Sequence, residues 1–330
     1  LLGWLLFKAL GFLLALVHFI NGDDTAVSRW FSRSRERKGY KALADGMIAL
    51  ASGEGETAMA KGRRAQRYLR RPEITSILVA QGAELTGDRK TAEEMFQEAL
   101  LTSEIAYGSN HSQIATIVFY MAELMREMER MEAATLLFRR AVDVRAAIQD
   151  TSKRYVLTLQ ACADHMREAG LPDDALSMIN RAVTESKKLD NANALTGRCY
   201  LTQARVYTVQ KNLQEAYDAA RTATQLLEKS QGKSHPETLE AKALVASHSV
   251  SLGRVAEADR ILVEVIAEKD KLGEDRDSVY ADLLLDLSSV HSKGKPEKVG
   301  ESLLGAARIY RSYVGPEYHR AEELLGKQQH

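Results

Sequence analysis

The first twenty residues form an almost continuous apolar run, LLGWLLFKALGFLLALVHFI, in which Lys8 and His18 are the polar positions. A helix of about 20 apolar residues matches the hydrocarbon thickness of a bilayer. We therefore expect a transmembrane helix over residues 1–20. The pattern leaves two alternatives open: an interfacial or complex-buried helix, which Lys8 favours, and a secretory signal peptide.

A basic stretch follows the apolar run and includes two aromatic residues. Its candidate membrane-surface members are Arg29, Trp30, Phe31, Arg33, Arg35, Arg37, Lys38 and Lys41. Basic residues beside a membrane helix favour retention on the cytoplasmic or matrix side, and they can contact anionic lipid headgroups. We expect residues 21–38 to be a juxtamembrane linker of this kind. A merely solvated basic linker is the alternative.

Small residues recur in one register through the rest of the chain, residues 39–330. The anchor positions of this register are Ala58, Ala92, Ala134, Ala175, Ala216, Ala258 and Gly300. The intervals between them are 34, 42, 41, 41, 42 and 42 residues. Nearly every residue seven positions after an anchor or twelve before it is also small. Ala92, Phe96 and Ala99 share one face of a helix, where small residues allow a second helix to approach closely.

Helix breakers fall between the periodic segments. Four glycines lie five residues before an anchor: Gly53, Gly87, Gly170 and Gly253. The five prolines all fall at expected turns or loops: Pro72, Pro172, Pro236, Pro296 and Pro316. Proline inside a helix would cost about 3 kcal/mol. The pattern therefore predicts an all-α chain of about seven helix pairs with a capping helix over residues 317–327.

These repeats resemble the tetratricopeptide family, whose ordinary period is 34 residues. The longer intervals resemble the repeats of kinesin light chains, in which a Gly-x-x-His loop often joins successive repeats. Here YGSNH ends at His111, QGKSH ends at His235, and the last loop holds His319. The resemblance implies a right-handed superhelix with a concave groove. The paired groove asparagines of that subclass are absent, because Phe119 and Tyr120 occupy the region.

A second resemblance covers about the first third of the chain. The apolar helix, the basic stretch and the segments RERKGYKALADGMIALASGE and AQGAELTGDRKTAEEMFQEAL are similar to the N-terminal domain of HemY-type proteins. That family implies an inner-membrane tetratricopeptide protein linked to late haem biosynthesis, without a demonstrated enzymatic activity. HemY-type proteins usually carry two membrane helices, whereas this sequence predicts one.

Composition narrows the functional classes. The chain has 45 basic and 45 acidic residues, and this balance argues against a dedicated nucleic-acid binder. Cys162 and Cys199 fall within expected helices and are interpreted as buried structural thiols. The histidines at the loop ends are interpreted as loop-capping residues rather than metal ligands, because they lie far apart in the sequence. No catalytic constellation, cofactor or small-molecule substrate is indicated.

The groove is the candidate binding site for protein partners. Its expected side chains lie at offsets two, five, nine and twelve of the first helix in repeats three to five. The candidates are Thr116, Phe119, Glu123, Arg126, Gln160, Asp164, Arg167, Arg198, Arg205 and Thr208. The arginines could bind a carboxylate or an acidic peptide. Alternatively, Glu123 and Asp164 neutralise them within a solvated charged face.

These patterns predict a non-enzymatic scaffold with one membrane helix and its repeats on the matrix or cytoplasmic side of an inner membrane. We expect an accessory or assembly subunit of a large mitochondrial or bacterial complex, such as a respiratory complex. A HemY-like role in organising late haem biosynthesis and a kinesin-light-chain-like cargo adaptor are the alternatives.

Overall fold

The computed structural model describes residues 26–191, 193–272, 285–288 and 290, with side chains from residue 33 onward. This part of the chain contains twelve α-helices, and none of them is long and apolar enough to cross a membrane. The transmembrane helix expected over residues 1–20 lies outside the described residues. The chain divides into two compact units, of which the first ends at Gln149 and the second begins at Asp150.

The first unit contains three helix pairs. Their bounds are α1 Ala26–Ala51 and α2 Gly55–Leu69, α3 Pro72–Leu85 and α4 Arg89–Tyr107, and α5 Ser112–Glu127 and α6 Met131–Ala147. The second unit repeats the arrangement. Its bounds are α7 Lys153–Glu168 and α8 Pro172–Ser186, α9 Asn193–Val209 and α10 Leu213–Gln231, and α11 Pro236–Ser251 and α12 Val255–Leu272. Within each unit, every pair packs against the next, as the repeat pattern predicts.

The predicted register of small residues is the core of both units. The six described anchors, Ala58, Ala92, Ala134, Ala175, Ala216 and Ala258, are all completely buried. The residues seven positions later are completely buried as well, and each lies on the second helix of its pair. An alanine occupies little space, so the two helices of a pair come close, and larger side chains such as Phe96 and Phe138 fill the layers between them.

The predicted turn residues have the conformations that end helices. Gly53, Gly87, Gly170 and Gly253 all have φ between +74° and +77°, in the left-handed region that glycine adopts without strain. Pro72, Pro172 and Pro236 each occupy the first turn of a helix, where the missing N–H costs no hydrogen bond. Pro296 and Pro316 lie outside the described residues.

The seventh predicted pair is described only at its start. Residues 285–288 are helical, and Leu287 and Val290 pack against Leu239, Ala258 and Leu262 in the second unit. Gly300, the seventh anchor, and the capping helix expected over residues 317–327 lie outside the described residues.

The basic stretch is helical over most of its length. Helix α1 begins at Ala26 and continues to Ala51, whereas residues 21–38 were expected to form a linker. Residues 26–38 contain no proline and few other helix breakers, and this composition lets the helix start earlier than the repeat register suggests. The basic residues therefore belong to the first helix of the first pair.

Candidate functional site

The ten groove candidates all lie on the first helices of their pairs. Four are on α5, three on α7 and three on α9. Nine of them are half-buried and Thr208 is exposed. The candidates on α5 and the same side of the neighbouring α3 form what we call the unit-1 face. The candidates on α7 and α9 and the same side of the neighbouring α11 form the unit-2 face.

Hydrogen bonds join α7 to α9 on the unit-2 face. The Thr202 hydroxyl donates to Asp164 Oδ2 over 3.2 Å and accepts a bond from Gln160 Nε2 over 3.3 Å. Thr202 is completely buried. Thr202 thus contacts two of the three candidates on α7, Gln160 and Asp164. The offset rule did not select this threonine, because offset five of the repeat falls on the neighbouring Leu201.

Burial and neighbouring cations act in opposite directions on Asp164. Burial raises the pKa of this carboxyl, and the charges of Arg205 and Arg167 and the Thr202 hydrogen bond partly offset that rise. Asp164 Oδ1 lies 3.8 Å from Arg167 Nε, and neither atom makes a hydrogen bond within the described part of the chain. Both atoms are buried, so this pair lies close together inside the face without using all of its hydrogen-bonding capacity.

The arginines of α9 form ion pairs with α11. Arg205 pairs with Glu240, and Arg198 Nη1 lies 3.7 Å from Glu237 Oε1. Thr208 Oγ1 lies 3.0 Å from His248 Nε2, and burial lowers the pKa of that histidine. An acidic ligand would therefore compete with Glu237 and Glu240 for binding to these arginines.

The unit-1 face is acidic. It carries Glu84 on α3 and Glu123 and Glu127 on α5. Burial raises the pKa of Glu84 to about 7, and the negative charges of Glu127 and Glu123 add to that rise. Arg126 donates to Glu123 Oε2 from Nε over 3.1 Å, as the alternative of internal neutralisation predicted. One cation therefore faces three carboxyl groups.

Thr116 and Phe119 have contacts inside the unit. The buried Arg145 donates from Nη2 to Thr116 Oγ1 over 3.3 Å. The ring of Phe119 meets the ring of Phe138 edge to face, with centroids 5.9 Å apart. Both residues are therefore used at least in part to attach α6 to α5.

Two of the residues that the offset rule missed, Glu84 and Glu240, could have been found from the same register. Glu84 lies at offset twelve of the repeat before those considered, and Glu240 lies at offset two of the repeat after them. The offset rule covers only repeats three to five. Extending it by one repeat in each direction selects the acidic partner of Arg205 and the most perturbed carboxyl of the unit-1 face.

The basic candidates lie on α1. Arg33, Arg35, Arg37, Lys38 and Lys41 are exposed, and Arg35 donates to the carbonyl of Arg67 over 3.1 Å. Arg29, Trp30 and Phe31 belong to the same helix, and their side chains lie outside the described residues.

The histidines at the repeat loops are capping residues, as predicted. His111 Nδ1 accepts a hydrogen bond from the Gln113 amide over 3.2 Å at the start of α5. His235 accepts equivalently from Glu237 over 3.3 Å at the start of α11. His319 lies outside the described residues.

The cysteines are buried free thiols, as predicted. Cys162 and Cys199 are both completely buried. Burial raises the pKa of the Cys199 thiol to about 12, so this group stays protonated and unreactive at neutral pH.

The successive packed helix pairs define a tetratricopeptide-like helical-repeat protein. Residues 1–87 match the family model described as HemY protein N-terminus. None of the curated proteins matches the chain.

Several solved structures share the fold. A signal-transduction ATPase with a tetratricopeptide repeat sensor from Pyrococcus horikoshii is 15% identical, with a TM-score of 0.72 over 91% of this chain and 45% of that one. The apo form of RapI is 11% identical, with a TM-score of 0.70 over 88% of this chain and 81% of that one. The repeats of a protein described as a kinesin light chain from Podosopora anserina are 17% identical, with a TM-score of 0.54 over 61% and 97%. At these identities, the likeness shows the fold alone.

Proposed function

We propose that this protein is a non-enzymatic, membrane-anchored scaffold that binds protein partners through the faces of its first helices. Its place is an inner membrane, where it serves as an accessory or assembly subunit of a large complex such as a respiratory complex. The apolar run of residues 1–20 supplies the anchor, and the match of residues 1–87 to the HemY N-terminus supports it.

The observation that carries the proposal is the acidic unit-1 face. Glu84 and Glu127 repel each other on neighbouring first helices, and Arg126 is engaged by Glu123. A bound lysine or arginine would relieve this repulsion, because an opposite charge stabilises the ionised carboxylate. The face therefore fits a partner segment that carries basic side chains.

The scaffold proposal is tested by purifying the tagged full chain in a gentle detergent and identifying what co-migrates with it on a native gel. The variant Glu84→Gln/Glu123→Gln/Glu127→Gln should lose the partner. The matched control Glu56→Gln/Glu94→Gln/Glu132→Gln removes three carboxyl groups from exposed positions outside the face and should retain the partner. A bare monomer in the unaltered protein, or equal retention by both variants, would contradict the proposal.

A role in organising late haem biosynthesis is the second candidate, because the N-terminal match is to the HemY family. It predicts that deletion lowers haem and raises porphyrin, and that enzymes of porphyrin handling co-purify with the protein. Normal haem levels and no porphyrin accumulation after deletion would reject this candidate.

A further inference from the structure

The first helix pair carries a strong positive charge in a chain that is neutral overall. Residues 26–71 contain twelve Lys and Arg residues and four Asp and Glu residues, which gives a net charge of +8. The whole chain has 45 residues of each sign. The excess is therefore local to α1, α2 and the turn that follows them.

A pocket between α1 and α2 gathers part of this charge. Its volume is about 250 Å³, and it is lined by Lys38, Lys41, Ala42, Asp45, Lys61 and Arg64. One cation is neutralised, because Lys61 Nζ lies 3.3 Å from Asp45 Oδ2. Among the described residues, the other three cations have no ion-pair partner within the pocket.

Glycines on α1 bring the two helices close at this pocket. A Cβ at Gly46 would lie 3.1 Å from Lys61 Cβ on α2, and 2.6 Å from Leu78 Cδ2 on α3. A Cβ at Gly39, next to Lys38, would lie 2.6 Å from Leu69 Cδ2. Close packing holds the lysines of α1 beside Lys61 and Arg64 of α2, although like charges repel.

The chemistry of the pocket suits a phosphate group. Lysine ammonium groups bind phosphate as point charges, and an arginine can donate two parallel hydrogen bonds to its oxygens. The volume is several times the share of one water molecule in the liquid, about 30 Å³, so a tetrahedral anion fits. Helix α1, which carries Lys38 and Lys41, begins six residues after the apolar run ends at Ile20, so the pocket lies on the helix that follows the expected membrane anchor in the sequence.

We propose that the pocket formed by Lys38, Lys41 and Arg64 binds the phosphate group of an anionic lipid headgroup. The inference rests on the membrane anchoring in the proposed function and adds to it a lipid class and a defined site. Basic clusters beside a membrane segment gain affinity for anionic lipid with each positive charge near the surface. The pocket makes that gain dependent on particular side chains rather than on total charge.

The test uses the full chain in an uncharged detergent. Short-chain phosphatidylglycerol, short-chain phosphatidylcholine and inorganic phosphate are titrated separately, and binding is followed by calorimetry. Phosphatidylglycerol should bind on the order of 10-fold or more tightly than phosphatidylcholine, and its affinity should fall as salt is raised. Inorganic phosphate should compete only at much higher concentration.

Two variants of equal charge separate the pocket from the general basic surface. Lys38→Ala/Lys41→Ala/Arg64→Ala should lose the preference for phosphatidylglycerol. Arg63→Ala/Arg67→Ala/Arg70→Ala removes three exposed cations of α2 and the turn after it, all outside the pocket, and should keep it. Lys41→Gln alone should weaken binding by a smaller factor, and circular dichroism checks that each variant is folded.

Three results would overturn the inference: equal binding of both lipids, equal losses in the two triple variants, or inorganic phosphate binding as tightly as phosphatidylglycerol. The last result would assign the pocket to a free phosphorylated ligand. This experiment measures lipid binding and does not depend on whether the protein captures a protein partner. Failure here therefore leaves the scaffold proposal standing, and failure of partner capture leaves the lipid site standing.

Discussion

The buried Thr202 hydroxyl donates a 3.2 Å hydrogen bond to Oδ2 of Asp164 and so links α9 to α7 on the unit-2 face. Asp164 carries a raised pKa because it is buried, and this bond stabilises its charged form. The threonine is therefore part of the electrostatic balance of the face as well as of its packing.

Thr202→Val should lower the free energy of unfolding by about 1–3 kcal/mol, because it leaves a buried carboxylate without its hydroxyl donor. The loss should be larger at pH 8 than at pH 4, since the bond stabilises the ionised form of Asp164. Urea denaturation of the full chain in detergent measures both values. Thr184→Val removes an exposed hydroxyl that bonds only within its own helix and should change little. Equal losses in the two variants would contradict the role of Asp164.

Glu84 should make the protein less stable as the pH rises from about 4.5 to about 7. The pKa of this carboxyl is raised in the folded protein, so the folded state binds more protons than the unfolded state in that window. Glu84→Gln mimics the protonated form and should be more stable than the unaltered protein at pH 8 and nearly equal to it at pH 5. Glu94→Gln is the exposed control on α4. No difference at pH 8 would show that the pKa of Glu84 is not raised in the folded protein.

Gly82→Ala should destabilise the first unit by about 1–3 kcal/mol. A Cβ at this position would lie 2.9 Å from the carbonyl oxygen of Gly55 and 3.0 Å from the Met59 amide nitrogen, and backbone atoms cannot move aside cheaply. Alanine in a helix otherwise stabilises by about 1 kcal/mol over glycine, so the sign of the change is diagnostic. Hydrogen exchange should rise in α2 and α3. The exposed control Ala60→Gly should lose stability through propensity alone, without faster exchange in α3.

Lys211→Gly should raise the free energy of unfolding by about 0.5–1 kcal/mol. Lys211 has φ +62° and occupies the same turn position as Gly53, Gly87, Gly170 and Gly253, five residues before an anchor. An L-residue in this conformation carries a strain that glycine does not. Thermal and urea denaturation provide the measurement. Lys229→Gly, at an exposed position within α10, should be destabilising instead, so a loss of stability in both variants would refute the argument.

The sequence alone determined the register of the helix pairs. Every described anchor from Ala58 to Ala258 is completely buried, and the turn glycines, helix-starting prolines and capping histidines lie where the pattern placed them. The physical reason is local, because a small residue, a left-handed turn and an N-terminal cap each act within a few residues of chain. Helix α1 begins at Ala26, within the stretch expected to be a linker, because composition marks helix ends less sharply than repeats do.

Only the tertiary structure decided which charges meet. Arg205 pairs with Glu240 across 35 residues, Glu84 is close to Glu127 across 43, and Lys38 shares a pocket with Arg64 across 26. The offset rule selects positions on the first helices of the pairs, but it could not say which arginines pair with carboxylates of the same face. Electrostatic energy depends on the distance between charges and on their burial, and both are set when neighbouring helices pack rather than by any one segment of sequence.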